Sequence, residues 1–223
     1  MGYLSLNLQL QAKAVFIIGG GDVATRKAAS LLPTGAVVTV VAPTLTYELI
    51  RLRDSGEIVH LARRFQPGDL SGAYLVIAAT NEREVNLQVA EEASAKGILA
   101  EIADNPAAGN VISPAVIHQG DLSIAISTNG RAPSLAAVIK RELTPLFGEE
   151  YAKTVQLLGA IREKLLTDGA GSTYNKQVLR ELAEKLPALF VSKAFDEIDR
   201  LLAISLGADT NLATFDAKLR ETT

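Results

Sequence analysis

The sequence predicts an α/β fold: a parallel sheet domain with helices on its faces, followed by a small α+β region and a helical C-terminal domain. Up to about residue 103, short apolar runs alternate with helix-compatible segments. This alternation is typical of parallel strands that helices cover on both faces. Beyond residue 148, apolar residues recur at the spacing of amphipathic helices instead. We therefore expect the sheet domain first and the helical domain last.

Composition excludes several kinds of site. The chain has 223 residues, a formal net charge of −3, no cysteine and two histidines, His60 and His118. Without cysteine there is no disulfide, thiolate metal site or cysteine nucleophile, and two histidines are too few for a multi-histidine cage, so we expect no resident metal. The near-balanced charge does not indicate a general nucleic-acid or membrane surface. Because residues 1–12 lack a leader pattern and no apolar run approaches about 20 residues, we expect a soluble, cytoplasmic protein.

The first strand runs directly into three glycines. The apolar run Ala14–Ile18 precedes the spacing Gly19-x-Gly21-x-x-Ala24, which matches the dinucleotide-binding fingerprint with alanine in the last small position. The alternative interpretation is an ordinary tight turn between a strand and a helix. The segment that follows is compatible with a helix, whose first N–H groups would face a phosphate. This context favours a nucleotide-binding, Rossmann-type domain.

The rest of the sheet domain continues the alternation. A β-branched run at residues 36–41 completes a strand–helix–strand unit of about thirty residues, in which the two strands lie parallel and adjacent. The alternating residues 4–8 predict a short edge strand or lead-in. The other predicted elements are strands at 58–61, 73–79 and 98–103, and helices at 23–32, 46–54 and 84–96, the last closed by Gly97.

Small polar residues follow two of these strands. Folds of this type often carry an acidic residue about 20 positions after the glycines, where it binds the ribose. Here the second strand ends in Ala42-Pro43-Thr44, so we expect the backbone and the Thr44 hydroxyl to hold the ribose, and the choice between NAD and NADP stays open. Thr80 and Asn81 follow the strand at 73–79, at the sheet edge where such folds bind ligands.

Asp104 follows the last predicted strand, and two interpretations of it stand side by side. Asp104-Asn105-Pro106 is ordinary turn chemistry, in which the aspartate caps local N–H groups. Alternatively, a carboxylate at the carboxyl edge of the sheet faces the nicotinamide and acts as a general base. The residue types and their spacing favour neither.

Three other charged or titratable residues have structural interpretations. His60 is expected to pack on a strand face rather than to act in catalysis. Arg63 and Arg64 could meet a phosphate or an acidic substrate, but an exposed charged strand end is the favoured interpretation.

The second half of the chain changes pattern. Apolar residues at Leu122, Ile124 and Ile126 alternate with small ones, which predicts a strand with one buried face. A turn at residues 128–131 and a helix from Pro133 to about residue 146 follow. Two apolar stripes, interrupted by a break at residues 169–172, predict helices whose stripes form core or a subunit interface. The stripes are Val155, Leu158, Ile161 and Leu165, and then Leu179, Leu182, Leu186 and Leu189.

Four motifs, in this order and spacing, resemble one known family. They are Ile-Ile-Gly-Gly-Gly-Asp-Val-Ala-x-Arg-Lys at 17–27, Val-Val-Ala-Pro at 40–43, Val-Ile-Ala-Ala-Thr-Asn at 76–81 and Ala-Ile-Ser-Thr-Asn-Gly-x-Ala-Pro-Ser at 125–134. Together they resemble precorrin-2 dehydrogenase/sirohydrochlorin ferrochelatase, the N-terminal module of siroheme synthase, which also exists as a stand-alone enzyme. The resemblance covers about residues 3–147.

This resemblance implies an organisation and an activity. It implies an NAD-binding Rossmann domain at 1–113, a dimerisation region at 114–148 and a helical C-terminal domain at 149–223. The family forms homodimers with an active cleft between subunits, oxidises precorrin-2 to sirohydrochlorin with NAD⁺, and in many members inserts Fe²⁺ to give siroheme. Co²⁺ can also be inserted. Dehydrogenase activity alone, and a non-catalytic NAD-sensing domain that regulates a partner, are the alternatives.

Site residues are carried over position by position. Asp104 falls on the family's catalytic aspartate, which shifts its interpretation towards catalysis. In some members a residue of the pair corresponding to Ser127 and Thr128 is phosphorylated. The expected cofactor-binding residues are Gly19, Gly21, Asp22, Val23, Pro43, Thr44, Thr80 and Asn81, and the expected substrate-binding residues are Ser127, Thr128 and Arg131.

The substrate class and two departures complete the prediction. The tetrapyrrole carries eight carboxylates, so we expect a locally basic cleft, with Arg131, Lys140 and Arg141 as candidates beside the alternative of a solvated helix face. The family commonly has Asn-Val-Val-Asp where this chain has Glu101-Ile102-Ala103-Asp104, and an aromatic residue is replaced within 110–113. Both departures bear on chelation rather than on the redox step.

Overall fold

A computed structural model describes residues 2–167 and 172–220, without the side chains of 172–175 and 217. Contacts within the chain divide it into two compact units. The first comprises residues up to 113 together with 129–131, and the second comprises 114–128 and the residues from 132 onwards. The division into three domains, with 114–148 as a dimerisation region, stays a prediction.

The first unit is built on a five-stranded sheet in the order β3-β2-β1-β4-β5, with every pair of neighbours parallel. The predicted βαβ unit is confirmed, because β1 and β2 are parallel neighbours. Each predicted strand and helix between residues 14 and 103 is present, within two residues of its expected bounds. The elements are β1 (Ala14–Ile18), α1 (Asp22–Leu31), β2 (Val37–Val41), α2 (Tyr47–Asp54), β3 (Val59–Leu61), β4 (Leu75–Ala78), α3 (Arg83–Lys96) and β5 (Leu99–Ile102).

Apolar clusters lie on both faces of this sheet. On one face, Val15 and Ile17 of β1 pack in the same cluster as Ala28 of α1. On the other face, Val76 of β4 packs in the same cluster as Val89 of α3. Burying an aliphatic side chain of this size contributes about 1.5–3 kcal/mol relative to exposure. The two-sided burial explains why the strands are continuous apolar runs rather than alternating ones.

The register brings the ends of the central strands level. Ile18 at the end of β1 pairs with Val41 of β2 on one side and with Ala78 of β4 on the other. Since the strands are parallel, the residues that follow them emerge at one edge of the sheet. The glycine turn therefore meets the chain segments that follow β2 and β4.

The second unit combines a hairpin with a set of helices. Strands β6 and β7 pair antiparallel around Gly120 and Asp121, with Gln119 opposite Leu122. Only β7 was predicted, and β6 was missed. Its signal was the two-residue Gly-Asp connection between two short apolar runs, which favours a hairpin. The elements are β6 (Ala115–Gln119), β7 (Leu122–Ile126), α4 (Pro133–Leu143), α5 (Glu149–Thr167), α6 (Ser172–Val191), α7 (Phe195–Leu206) and α8 (Leu212–Phe215).

The helical core is confirmed, but its stripes are offset from the predicted ones. Ile161, Leu165, Leu182 and Leu186 are buried as expected, whereas Val155, Leu158, Leu179 and Leu189 are only half-buried. Leu157, Val178 and Phe190 are buried in their place and complete one apolar cluster with α7 and α8. The offset arises because each helix is covered from more than one side, which broadens its buried stripe. Of the predicted break at 169–172, residues 169–171 lie outside the described residues, and α6 begins at Ser172.

Of the two expectations for residues 4–8, the edge strand is wrong, and the segment is a lead-in without strand structure. The described segment before β1 contains no strand, and Leu4 and Leu6 are 80% and 69% exposed. Alternation of apolar and polar residues makes a strand only where a neighbouring strand supplies hydrogen bonds. No strand of the described structure pairs with this segment.

Candidate functional site

The glycine turn is shaped by two close backbone approaches and one open space. Gly19 has φ of +126°, donates its N–H to the Val41 carbonyl at 3.0 Å, and would drive a Cβ into the Ala79 carbonyl oxygen. A Cβ on Gly20 would strike the Thr44 carbonyl oxygen. A Cβ on Gly21, by contrast, would meet nothing within 4 Å. The first two glycines are therefore required by the fold, and the third leaves room in front of helix α1.

A cleft of about 460 Å³ opens at this edge of the sheet. Its size lies within the range of small-molecule sites. It lies where β1, β2 and β4 end, between the glycine turn and the segments that follow β2 and β4. Of the eight expected cofactor-binding residues, six line it: Gly19, Gly21, Pro43, Thr44, Thr80 and Asn81. Asp22 and Val23 instead form the first turn of α1 and are not among the lining residues.

The structure adds lining residues that the sequence prediction missed. Phe65 and Val85 give the cleft apolar surface, and Thr46 lines it while capping α2. Glu82 also lines it, as does Arg64, which was already a candidate for meeting a phosphate or an acidic substrate. The two form an ion pair of 2.8 Å in which both side chains are more than half exposed. Phe65 carries a signal that could have been used, since it is an aromatic residue shortly after a strand end.

The residues present fit the cofactor that the glycine pattern implies. Gly21 is the N-cap residue of α1, so the first N–H groups of that helix lie beside the open space. Free N–H groups at a helix N-terminus favour a phosphate. No acidic residue follows β2; Pro43 and Thr44 are exposed there. The cleft therefore suits a dinucleotide whose pyrophosphate lies at the glycine turn.

Asp104 lies two residues beyond β5 and is exposed. Its carboxylate Oδ1 accepts a hydrogen bond of 2.8 Å from the side-chain amide of Asn86 in α3. Asn86 is 1% exposed, and its other side-chain bonds all go to Thr80. Asp104 is therefore tied, through one buried amide, to a residue that lines the cleft. The sequence prediction missed Asn86.

The two departures from the family pattern meet in the structure. Glu101 of β5 accepts hydrogen bonds from Lys27 at 2.6 Å and from the Ser113 hydroxyl at 2.7 Å. Lys27 also donates to the Ser113 hydroxyl at 2.7 Å. Glu101 and Ser113, which lie in the two segments expected to depart from the family pattern, thus bind each other and the lysine of the first motif. They form one closed polar cluster rather than two separate defects.

The segment between β3 and β4 is held by two carboxylates. Hydrogen bonds from Arg63 lower the pKa of Asp69, with 2.7 Å contacts to both of its oxygens. For Glu92, burial raises the pKa, but hydrogen bonds from Lys96 and from the N–H groups of Gly68 and Leu70 outweigh it and lower the pKa. Both carboxylates stay ionised, and they fix the loop that carries Arg64 and Phe65.

The other titratable residues singled out earlier have structural roles. His60 is half-buried on β3, and its Nε2 donates to the Ala42 carbonyl at 2.9 Å, which fits the expected packing role. Arg63 pairs with Asp69, in line with the favoured interpretation of a charged strand end.

The expected substrate-binding residues lie around the turn after β7. Ser127 and Arg131 are exposed, and the half-buried Thr128 accepts a hydrogen bond of 3.1 Å from the Ala132 N–H. Asn129 and Gly130 have positive φ, which confirms the predicted turn. Lys140 and Arg141 lie in the last turn of α4, where positive charge interacts favourably with the helix dipole.

Two features are absent from the described residues. They contain no group of three or more histidine, cysteine, aspartate or glutamate residues arranged to hold a metal ion. No helix among them is both long and apolar enough to cross a membrane.

The sheet order, the glycine turn and the cleft define a Rossmann-type NAD(P)-binding protein. The family model described as NAD(P)-binding matches residues 6–115, and the model described as sirohaem biosynthesis protein central matches residues 119–144. Siroheme synthase 1 of Aeromonas salmonicida is 41% identical over 165 residues, and the siroheme synthase of Chromobacterium violaceum is 39% identical over 163 residues. These matches cover 74% and 73% of this chain but only 35% of either relative.

A solved structure extends the likeness beyond the sheet domain. SirC, a precorrin-2 dehydrogenase, superimposes with a TM-score of 0.74 at 28% identity, over 89% of this chain and 98% of that one. The similarity to SirC therefore extends into the helical part of this chain. The chain is thus similar to siroheme synthases in sequence and to SirC in fold, and it carries the NAD(P)-binding and sirohaem biosynthesis central regions that the two family models describe.

Proposed function

We propose that this chain is an NAD-dependent dehydrogenase that oxidises precorrin-2 to sirohydrochlorin. The observation that carries the proposal is the hydrogen-bonded link from the nucleotide cleft to Asp104. Thr80 lines the cleft, Asn86 binds Thr80, and Asn86 donates to Asp104 at 2.8 Å. A carboxylate anchored next to a dinucleotide cleft is what an oxidation that releases a hydride and a proton needs. The similarity to siroheme synthases and to SirC supplies the substrate class.

The glycine turn and the first turn of α1 would hold the pyrophosphate of the dinucleotide. Here Asp22 and Val23 contribute backbone N–H groups as the first residues of the helix. Pro43 and Thr44 would contact the adenosine ribose, and Thr80 and Asn81 would border the other side of the cleft. When bound, NAD⁺ supplies the hydride acceptor.

Asp104 would act as the general base. As precorrin-2 loses a hydride to the cofactor, one proton must also leave, and the exposed carboxylate can take it. Positioned proton transfer of this kind contributes about 10²–10⁴-fold in rate. The reaction needs no nucleophile, and the absence of cysteine from the sequence is consistent with that.

The finer parts of the proposal rest on the resemblance. They are a homodimer, binding of the tetrapyrrole carboxylates by Ser127, Thr128 and Arg131, a cytoplasmic location, and transfer of Fe²⁺ or Co²⁺ to the product ring. In chelation the ring supplies four nitrogen ligands, so the protein would hold the ring and help remove its protons. A protein cage that bound the ion tightly would slow its transfer.

A split assay tests the proposal. Purified protein is given precorrin-2 and NAD⁺ while NADH absorbance is followed, and Fe²⁺ is then added without oxygen while the tetrapyrrole spectrum is recorded. We expect NADH from the wild-type protein and a loss of about 10²–10⁴-fold in Asp104→Ala. Asp54→Ala is the matched control, because Asp54 is an exposed aspartate at the end of α2 that does not line the cleft.

The outcomes separate the alternatives. NADH followed by metal insertion faster than in protein-free solution supports a dehydrogenase that also acts as a chelatase. NADH without accelerated insertion leaves the dehydrogenase alone. A folded protein that binds NAD⁺ but forms no NADH overturns the proposal and favours the sensing domain.

A further inference from the structure

Asn86 is a buried polar side chain that makes three hydrogen bonds to Thr80 and one to Asp104. It lies in the first turn of α3 and is 1% exposed. Its Oδ1 accepts from the Thr80 N–H at 3.2 Å and from the Thr80 hydroxyl at 2.7 Å. Its Nδ2 donates to the Thr80 carbonyl at 3.1 Å and to Asp104 Oδ1 at 2.8 Å. All four bonding positions of the amide are therefore used.

The orientation of this amide is fixed by the backbone of Thr80. A backbone N–H can only donate and a backbone carbonyl can only accept, so Oδ1 must face the N–H and Nδ2 must face the carbonyl. The second hydrogen on Nδ2 then has one acceptor, Asp104. An ionised aspartate at position 86 could not donate to either acceptor, and leucine could make none of the four bonds.

We propose that Asn86 is the positioning residue for Asp104, an inference that rests on the proposed function. The buried amide holds Oδ1, which leaves Oδ2 to receive the proton from the substrate. Because the same amide makes three hydrogen bonds to Thr80, the orientation of Asp104 is linked to the segment that lines the nucleotide cleft. Displacing a catalytic group by about 1 Å lowers the rate on the order of 10²-fold.

The contact itself can be tested without turnover. In ¹H–¹⁵N spectra, the side-chain NH₂ signals of Asn86 should differ between the wild-type protein and Asp104→Asn, because Nδ2 donates to a carboxylate oxygen in the first and to an amide oxygen in the second. Asp104 is exposed, so this variant is expected to fold. Signals that are the same in both proteins overturn the inference.

The consequence for catalysis is tested with Asn86→Asp. This variant places a second carboxylate against Asp104, and two such groups share a proton. We expect kcat to fall about 10–100-fold, the acidic limb of its pH profile to move to higher pH, and KM for NAD⁺ to change less than about threefold. Gln88→Glu is the matched control, because it makes the same change at an exposed position two residues along α3.

Each outcome decides a different point. A pH profile of Asn86→Asp that matches that of Gln88→Glu overturns the positioning role, even if both proteins are less stable. If Asn86→Asp does not fold, the spectra of the wild-type protein and Asp104→Asn still decide the contact. Absence of NADH from the wild-type protein overturns the proposed function, while Asn86 signals that change in Asp104→Asn would still support the contact between Asn86 and Asp104.

Discussion

Both units of this chain have an apolar core, but they treat buried polar groups differently. In the first, Asn86 is 1% exposed and joins the nucleotide cleft to Asp104. In the second, the buried polar residues among those described are Thr154 and Thr210, whose hydroxyls bond to carbonyls of their own unit. A buried polar network is costly unless it is fully satisfied. The difference fits the proposed function, which assigns the chemistry to the sheet unit and packing to the helical core.

The largest expected effect is on catalysis in the first unit. Asp104→Asn keeps the shape of the side chain and an oxygen that can accept from Asn86, but the amide cannot take a proton. We expect kcat with precorrin-2 to fall about 10²–10⁴-fold, with an unchanged melting temperature and NAD⁺ affinity. Steady-state kinetics measures kcat, and calorimetry measures the melting temperature and the NAD⁺ affinity. Activity near that of the wild-type protein would show that the polar network of this unit has no role in the chemistry.

The next effect in size is a loss of stability caused by a substitution in the second unit. We expect it to leave cofactor binding unchanged. Leu182 is 0% exposed in the helical core, so Leu182→Ala should cost about 2–5 kcal/mol of unfolding free energy. The Kd for NAD⁺ should stay the same, since all the residues that line the cleft belong to the first unit. Leu166→Ala, at a position 67% exposed, is the control. A weaker Kd in Leu182→Ala alone would break the division of roles.

Within the glycine turn, we expect one glycine to be needed for cofactor binding and another for folding. Gly21 has negative φ and open space where a Cβ would lie, so Gly21→Ala should fold normally. Its methyl group would occupy the front of α1, and we expect NAD⁺ to bind about tenfold more weakly, or about 1.4 kcal/mol. In Gly19→Ala, positive φ and the clash with Ala79 should destabilise the protein by about 1–3 kcal/mol. Equal effects of the two variants on thermal stability would contradict this assignment.

The smallest effect concerns pH. Hydrogen bonds from Arg63 lower the pKa of Asp69 below its ordinary value of 3.8, so this carboxylate stabilises the folded state above that value. The stabilisation is lost as pH falls through the lower, folded pKa. Melting temperature should therefore drop on acidification in the wild type, and less so in Asp69→Asn, which is already less stable at neutral pH. Parallel curves for the two proteins would show that the pair contributes nothing.

Most of the first unit follows from sequence pattern because its signals are local. A strand buried on both faces must be apolar at consecutive positions, and a sharp turn against neighbouring backbone must be glycine at Gly19. The edge-strand alternative for residues 4–8 failed because strand pairing depends on a neighbouring strand, which alternation does not reveal. Strand β6 was missed because the segment itself carries little strand pattern, and its one strong signal is the turn at Gly120.

The candidate site was predictable only in part. Pro43, Thr44, Thr80 and Asn81 could be placed because each follows a strand, and parallel strands end at one edge of the sheet. Nothing in the pattern of α3 distinguishes Asn86 from a solvated polar residue. Arg64 was named, but its pairing with Glu82, 18 residues later, depends on the loop that Asp69 and Glu92 hold.

The sequence by itself determined the class of fold, the glycine turn and the family resemblance, because these depend on short-range spacing and on motifs in fixed order. The tertiary structure decided which polar groups meet. Strand order places the ends of β4 and β5 side by side, and that neighbourhood lets one amide of α3 reach both Thr80 and Asp104. The same folding joins Lys27, Glu101 and Ser113 across 86 residues. Such contacts are set by the path of the chain, which no local pattern records.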